Sequence, residues 1–281
     1  MKCAWEALLS LLPQCLRQDV DKYGREKMQE LRLRLSMTPE LVMKDRNVNL
    51  NETVTKDMLQ YVVNAACRYS PWTATTTASG YITAQGGHRV GLCGEVTVKN
   101  NQIADVKNIS SVCIRVARDF PGIGDRIALK GSLLIIGRPG CGKTTLLRDI
   151  IRNRSEQGCE SIAVVDERGE IFPNFQGKPC FPPGKRTDIL SGCPKGQGIQ
   201  LLLRTMSPAA IAVDEITAEE DCCGLMHAAW CGVDLIATAH AGSIQDFLKR
   251  PVYKPLIESR IFTRAIVMQP DKTWREERIH I

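Results

Sequence analysis

Gly137-Arg138-Pro139-Gly140-Cys141-Gly142-Lys143-Thr144 is the segment in which residue type and spacing imply chemistry most directly. Its glycines let the backbone curl until successive N–H groups point into one hollow, an arrangement that suits an anion. A lysine supplies a point charge beside that hollow and a threonine supplies a hydroxyl. Together they complete the pattern G-x-x-x-x-G-K-[ST], whose loop cradles the phosphates of a nucleoside triphosphate. Apolar Leu133-Leu134-Ile135-Ile136 comes before it, and Leu146, Leu147, Ile150 and Ile151 follow at helical spacing. The loop is therefore expected to join a strand to the N-terminus of a helix, where the dipole adds to the attraction for phosphate. Gly137, Arg138, Pro139, Gly140, Cys141, Gly142, Lys143, Thr144 and Thr145 are the expected contacts to ATP. Lys143 is expected to serve the β and γ phosphates, and Thr144 to serve Mg²⁺.

A magnesium site also needs a carboxylate at the tip of a neighbouring strand. Ala209-Ala210-Ile211-Ala212-Val213-Asp214-Glu215 provides one. Asp214 is expected to hold the metal through water, and Glu215 to polarise the attacking water. A second acidic strand end, Ala163-Val164-Val165-Asp166-Glu167-Arg168-Gly169-Glu170, comes earlier. The carboxyl ends of strands line the ligand crevice of a doubly wound sheet, which places Asp166 and Glu167 near the phosphates or at a subunit edge. A charged loop closed by Arg168 competes with that reading. Leu235-Ile236-Ala237-Thr238-Ala239-His240 ends in a histidine at the same sheet edge, positioned as a sensor of the γ-phosphate. The candidate catalytic set is thus Glu215, Lys143, Asp166, Glu167 and His240. Cys141, beside Lys143 and a helix N-terminus, is expected to be a reactive thiol unless it is buried.

The surrounding pattern changes near residue 125. Before it, short elements suit an α+β module. An N-terminal amphipathic helix runs to about Pro13, and Leu31-Arg32-Leu33-Arg34-Leu35 alternates as a strand. Thr55 heads a helix to Arg68, and Tyr81 to Ala84 with Arg89 to Val98 forms a hairpin continuing into a meander. Asn100-Asn101 offers a turn, and Ser111 to Val116 a further strand. Phe120-Pro121-Gly122-Ile123-Gly124-Asp125 is a break. After it, the apolar runs Ser132–Gly137, Ser161–Asp166, Ala209–Asp214, Val233–Thr238 and Phe262–Met268 alternate with helical segments, the pattern of a parallel sheet with crossover helices. The expected fold is α/β: a RecA-like P-loop domain, residues 126–281, with a mainly parallel sheet. A smaller α+β N-terminal domain, residues 1–125, precedes it as an interaction and ring-assembly module. The proline-rich stretch from Glu170 to Gln200 is too long for an idle connection.

Composition narrows the class. The 281 residues carry a net charge of +6, spread along the chain without a basic block. No strand combines aromatic and basic residues for base stacking, so no nucleic-acid partner is expected. Twelve cysteines occur without any Cys-x-x-Cys pair, which favours free thiols in a reducing cytoplasm over disulfides or a metal. No stretch approaches the length of apolar sequence that spans a bilayer.

These strand ends together resemble the type II/type IV secretion ATPase superfamily, with its P-loop, Asp box, Walker B glutamate and His box. Leu203-Arg204-Thr205-Met206-Ser207-Pro208 has the form of the family's Walker B lead, and Thr238-Ala239-His240 the form of its His box. A narrower resemblance, to a sporulation-channel ATPase of endospore-forming bacteria, rests on Gln85-Gly86-Gly87-His88-Arg89-Val90-Gly91 and Ile114-Arg115-Val116-Ala117-Arg118. It implies a cytoplasmic homo-oligomeric ring, a hexamer, peripheral to the membrane through membrane proteins of the sporulation channel. The family often has Gly before the catalytic Glu, where this chain has Asp214. The tetracysteine zinc insert of type II members is missing, so the resemblance implies no zinc. Arg89, Arg186 and Arg204 are the candidates to reach across a subunit boundary. Two other classes compete with the motor: a nucleic-acid-dependent ATPase, and a ring that ATP only gates.

Overall fold

A computed structural model describes residues 1–67, 80–99, 102–128, 130–158 and 160–279. They form two compact units, one of residues 1–119 with 173–181, the other of residues 120–172 with 182–281.

In the first unit, α1 (Trp5–Ser10) and α2 (Gln14–Tyr23) lead into β1 (Met28–Arg34), β2 (Glu40–Met43) and β3 (Asn47–Asn49). Then come α3 (Lys56–Cys67), β4 (Tyr81–Thr83), β5 (Arg89–Lys99) and β6 (Gln102–Arg115). The strands make an antiparallel sheet in the order β3-β2-β1-β6-β5-β4. Alternation in β1 buries Leu31 and Leu33 and leaves Arg34 exposed. Thr55 accepts the Met58 N–H at 3.2 Å and caps α3. Pro13 ends the first helical stretch as expected, but a second helix follows it. The segment from Ser111 is not a separate strand; it is the end of β6, paired with β5 from Lys99↔Gln102 to Arg89↔Arg115. Polar residues such as Asp105, Lys107 and Asn108 hide the first half of β6 from a periodicity argument. The proposed turn at Asn100-Asn101 and the helix end at Arg68 lie outside the described residues.

Gln85-Gly86-Gly87-His88 is a structural corner of this unit. Gly86 (φ 78°) approaches Ala4 so closely that an added Cβ would lie 2.4 Å from the Ala4 Cβ. His88, fully buried, accepts the Ala117 N–H through Nδ1 at 3.1 Å. Its proton must therefore sit on Nε2, which donates to the Ala4 carbonyl at 2.9 Å.

In the second unit, β7 (Leu133–Gly137) and α4 (Lys143–Gln157) flank the glycine loop, and β8 (Ile162–Asp166) follows. The short ribbon β9 (Asn174–Phe175) and β10 (Lys178–Pro179) belongs to the first unit, where an added Cβ on Gly87 would lie 3.3 Å from Pro173 and Cys180. The expected single cut near residue 125 therefore misses this excursion, which no local composition signals. The second unit resumes with β11 (Thr187–Ser191), α5 (Lys195–Thr205), β12 (Ala210–Val213) and α6 (Glu219–Trp230). Next are β13 (Asp234–His240), α7 (Ile244–Lys249), α8 (Lys254–Glu258), β14 (Arg264–Met268) and β15 (Trp274–Arg278).

The sheet order is β11-β8-β12-β13-β7-β14-β15, parallel throughout except for the last pair. All five expected runs lie on its strands. The central strands are buried on both faces, which explains why they read as continuous apolar runs. The stretch from Glu170 to Gln200 is no open loop: it holds the ribbon, edge strand β11 and the first turns of α5. Among the described residues no helix is long and apolar enough to cross a membrane.

His88 generates a test. Burial, reinforced by nearby Arg118, holds its imidazole below the usual pKa, while the Ala4 hydrogen bond opposes this. The unfolded chain then binds the extra proton first, so stability is full above about pH 6.5 and declines as the pH falls below it. Thermal unfolding between pH 7.5 and 5 should show this slope, flattened in His88→Gln. An unchanged slope in the variant would refute the assignment.

Candidate functional site

The loop between β7 and α4 is shaped by its glycines. Gly140 (φ 78°) and Gly142 (φ 101°) take conformations that side chains disfavour, and no atom lies within 4 Å of where a Gly140 Cβ would stand. Gly137 is required for space instead: its Cβ would lie 2.5 Å from the Cys141 sulfur and 2.8 Å from Met268. The sulfur thus packs beneath the loop, and Cys141 is only 3% exposed. The thiol expected to be reactive is buried. Arg138, Pro139 and Gly140 are exposed along the loop, while Thr145 enters α4 next to Thr144.

Lys143, 5% exposed, folds back onto its own loop. Its ammonium donates to the Gly137 carbonyl at 3.0 Å, to the Arg138 carbonyl at 3.2 Å and to His240 Nδ1 at 3.1 Å. An ammonium has three donors and no acceptor, so His240 Nδ1 must be bare and its proton must be on Nε2. That Nε2 stands 2.9 Å from Glu215 Oε1. A continuous chain therefore runs from the P-loop lysine through a neutral histidine to the glutamate of the β12 end. Arg168, on the loop after β8, stands 3.6 Å from the other Glu215 oxygen.

Asp214 lies beside this chain. Its Oδ2 accepts the Thr144 hydroxyl at 2.7 Å and its Oδ1 the Thr238 hydroxyl. Burial pushes its carboxyl above the usual range against the pull of those hydroxyls, and nearby Glu215 and Glu170 add to the rise. No cation among the described residues pairs with it. A half-buried carboxylate at the cleft, held among the described residues by hydroxyls, one of them from the P-loop threonine, fits a divalent cation bound through water.

Asp166 and Glu167 lie at the neighbouring strand end, but their side chains are engaged elsewhere. Asp166 accepts the N–H groups of Glu170 (2.8 Å), Ile171 (3.2 Å) and Phe172 (2.8 Å), clamping the loop that follows β8. Burial raises its pKa, and those amides oppose the rise. Both carboxylate oxygens of the expected catalytic acid are thus occupied by backbone amides. Glu167 pairs with Lys195, which also lies 3.7 Å from Asp221. The cleft between these strand ends is lined by Asp166, Glu167, Glu170, Asp214 and Glu215, with Arg168 and Lys195.

Lys195 escaped the sequence reading, though it left a signal. A lysine opening a helix opposes the dipole, and such a residue needs acids around it. Of the three arginine candidates, Arg89 stacks over the Tyr81 ring at 3.7 Å within the first unit, while Arg186 and Arg204 are exposed on the second.

The family model for sporulation stage III, protein AA, matches residues 5–278. Stage III sporulation protein AA of Bacillus subtilis (strain 168) is 35% identical over 280 residues, spanning 94% of this chain and 91% of its own. Among solved structures, the pilus retraction motor PilT with bound ADP superposes with a TM-score of 0.63 at 14% identity, over 90% of this chain and 76% of its own. The ATPase DotB of Yersinia pseudotuberculosis gives 0.60 at 14% identity, over 95% of this chain and 79% of its own. At that identity the likeness bears on the fold, and it agrees with the α/β architecture read from the sequence.

Asp214 allows a direct test of the metal assignment. Asp214→Asn keeps the shape and removes a partly desolvated charge that no cation among the described residues offsets. Its thermal midpoint without Mg²⁺ and nucleotide should rise, by about 2–4 °C for each kcal/mol relieved. Its ATP affinity should at the same time lose its dependence on Mg²⁺. A variant less stable than wild type, or one still responsive to Mg²⁺, would contradict the reading.

Proposed function

The chain belongs to the sporulation stage III protein AA family, and we propose that it works there as an ATP-hydrolysing motor of a secretion-like channel apparatus. The observation that carries this reading is the hydrogen-bonded chain Lys143–His240–Glu215 set against the pair Thr144–Asp214. It supports a site in which phosphate binding and water activation are physically linked.

In this mechanism the loop amides and the α4 N-terminus hold the β and γ phosphates. Lys143 turns its donors from the two loop carbonyls and His240 to phosphate oxygens. His240 Nδ1, freed of its lysine, is then available to accept a hydrogen bond from water, while Nε2–H still holds Glu215. Glu215, aimed by His240 and Arg168, accepts a proton from the attacking water. Thr144 and Asp214 are the residues that would hold Mg²⁺, which would supply positive charge where negative charge builds on the phosphate oxygens. Asp166 fixes the loop that carries Arg168. Its engagement with backbone amides supports a positioning task for this acid over direct chemistry.

The assembly follows the secretion ATPase likeness: a cytoplasmic homohexamer docked on membrane proteins of the sporulation channel. The N-terminal unit provides the interaction and ring-building surface, and one of Arg89, Arg186 and Arg204 reaches into a neighbouring subunit's site. PilT, named a pilus retraction motor, is a precedent for mechanical work from this fold.

Two variants separate an enzyme from a ring that nucleotide only gates. Glu215→Gln should retain ATP affinity while turnover falls roughly 10²–10⁴-fold, the scale of a lost general base. Lys143→Ala should lose both binding and turnover. Hydrolysis at the wild-type rate in Glu215→Gln would place the catalytic acid elsewhere, and undiminished ATP binding in folded Lys143→Ala would overturn the P-loop assignment.

A further inference from the structure

Glu215 is not glycine, yet its φ is +49°. A left-handed backbone costs a side-chain-bearing residue about 1 kcal/mol and persists only when its surroundings enforce it. The enforcing residue is Thr238 on the adjacent strand β13, fully buried. Its Oγ1 accepts the Glu215 N–H at 2.8 Å and donates to Asp214 Oδ1. Its carbonyl accepts the Ile216 N–H at 2.8 Å. One residue thus holds three consecutive positions of the β12 turn, through both its side chain and its backbone.

The pleat explains the placement. Leu235, Ala237 and Ala239 of β13 pack into the main core cluster. Thr238 and His240, two residues apart, share the other face. From that face His240 reaches the Glu215 carboxylate and Thr238 reaches its backbone. A hydroxyl is suited to the second task, because it donates once while accepting elsewhere. Valine has nearly the same shape and can do neither.

We propose that Thr238 is the positioning residue of this site. Its hydroxyl holds Glu215 in the left-handed conformation that directs the carboxylate to His240 and the attacking water, and it keeps Asp214 turned to Thr144. The inference rests on the ATPase reading above and adds a residue that touches neither phosphate nor water.

The test compares Thr238→Val and Thr238→Ser with wild type, in full-length protein. Thr238→Val should lower kcat roughly 10- to 100-fold, the scale of an ångström-level misplacement. Its affinity for Mg²⁺-free ADP should stay within about threefold, since the phosphate cradle is untouched. Thr238→Ser, which keeps the hydroxyl, should restore kcat to within about threefold of wild type. In nucleotide-free protein, hydrogen exchange should accelerate at the Glu215 amide in Thr238→Val and remain slow in Thr238→Ser. Combined with Glu215→Gln, Thr238→Val should lower turnover by less than it does alone, because the part of its effect that acts through that carboxylate is already lost. If valine does not fold, Thr238→Cys keeps the volume with a weak hydrogen-bonding group and carries the same expectations. Wild-type kcat in a folded variant with a deprotected Glu215 amide, or losses that add to Glu215→Gln, would overturn the role of Thr238 alone. Wild-type protein that binds ATP but never hydrolyses it would overturn the ATPase reading and this inference with it.

Discussion

The parallel register of three neighbouring strands governs the second unit. Strand β13 lies between β7, which ends in the P-loop, and β12, which ends in Asp214. His240 is paired with Gly137 on one side, and Ala237 with Val213 on the other. Parallel strands point their carboxyl ends the same way, so the phosphate loop, the acidic turn and the histidine must emerge at one edge. Residues far apart in sequence meet there without any long loop to bring them together. The apolar strand interiors set this register, and the polar strand ends inherit their spacing from it.

At that edge charge and hydrogen-bonding capacity are closely matched. Lys143 fills all three donors, and this fixes the protonation of His240, which in turn holds Glu215. Asp214, by contrast, is half-buried with its carboxylate steadied by hydroxyls. Burial without a cation is costly for a carboxylate, and sites that tolerate such a cost are often those that take up a charged ligand. The first unit shows the same economy applied to structure alone. His88 is neutral, buried and satisfied at both nitrogens, tying Ala4 to Ala117. Two histidines in comparable hydrogen-bonding states therefore have different tasks, decided by what surrounds them.

The acids at the end of β8 show how similar sequence can part in space. Asp166-Glu167 and Asp214-Glu215 each close a run of apolar residues. Asp166 turns inward to three backbone amides and Glu167 to Lys195, whereas Asp214 meets the P-loop threonine and Glu215 meets His240. The difference comes from the following residues. After β8 the chain loops back within reach of Asp166. After β12 it takes a left-handed turn held by Thr238.

The sequence alone determined the phosphate loop, the five central strands and the identity of the acids and histidine at their ends, because those features are local. A glycine pattern, an apolar run or a terminal carboxylate is written in consecutive residues, and burial on both faces leaves little freedom in how such runs are used. Tertiary structure decided what depends on distant partners. It placed edge strand β11 beside β8, joined residues 173–181 to the first unit and opposed the whole length of β6 to β5. It buried Cys141, set Lys195 against Glu167 and gave Asp166 to backbone amides. It also made Thr238 the partner of a turn more than twenty positions earlier in the chain. Hydrogen bonds of this kind link groups whose separation in sequence carries no period, so they become visible only once the sheet has set which strands are neighbours.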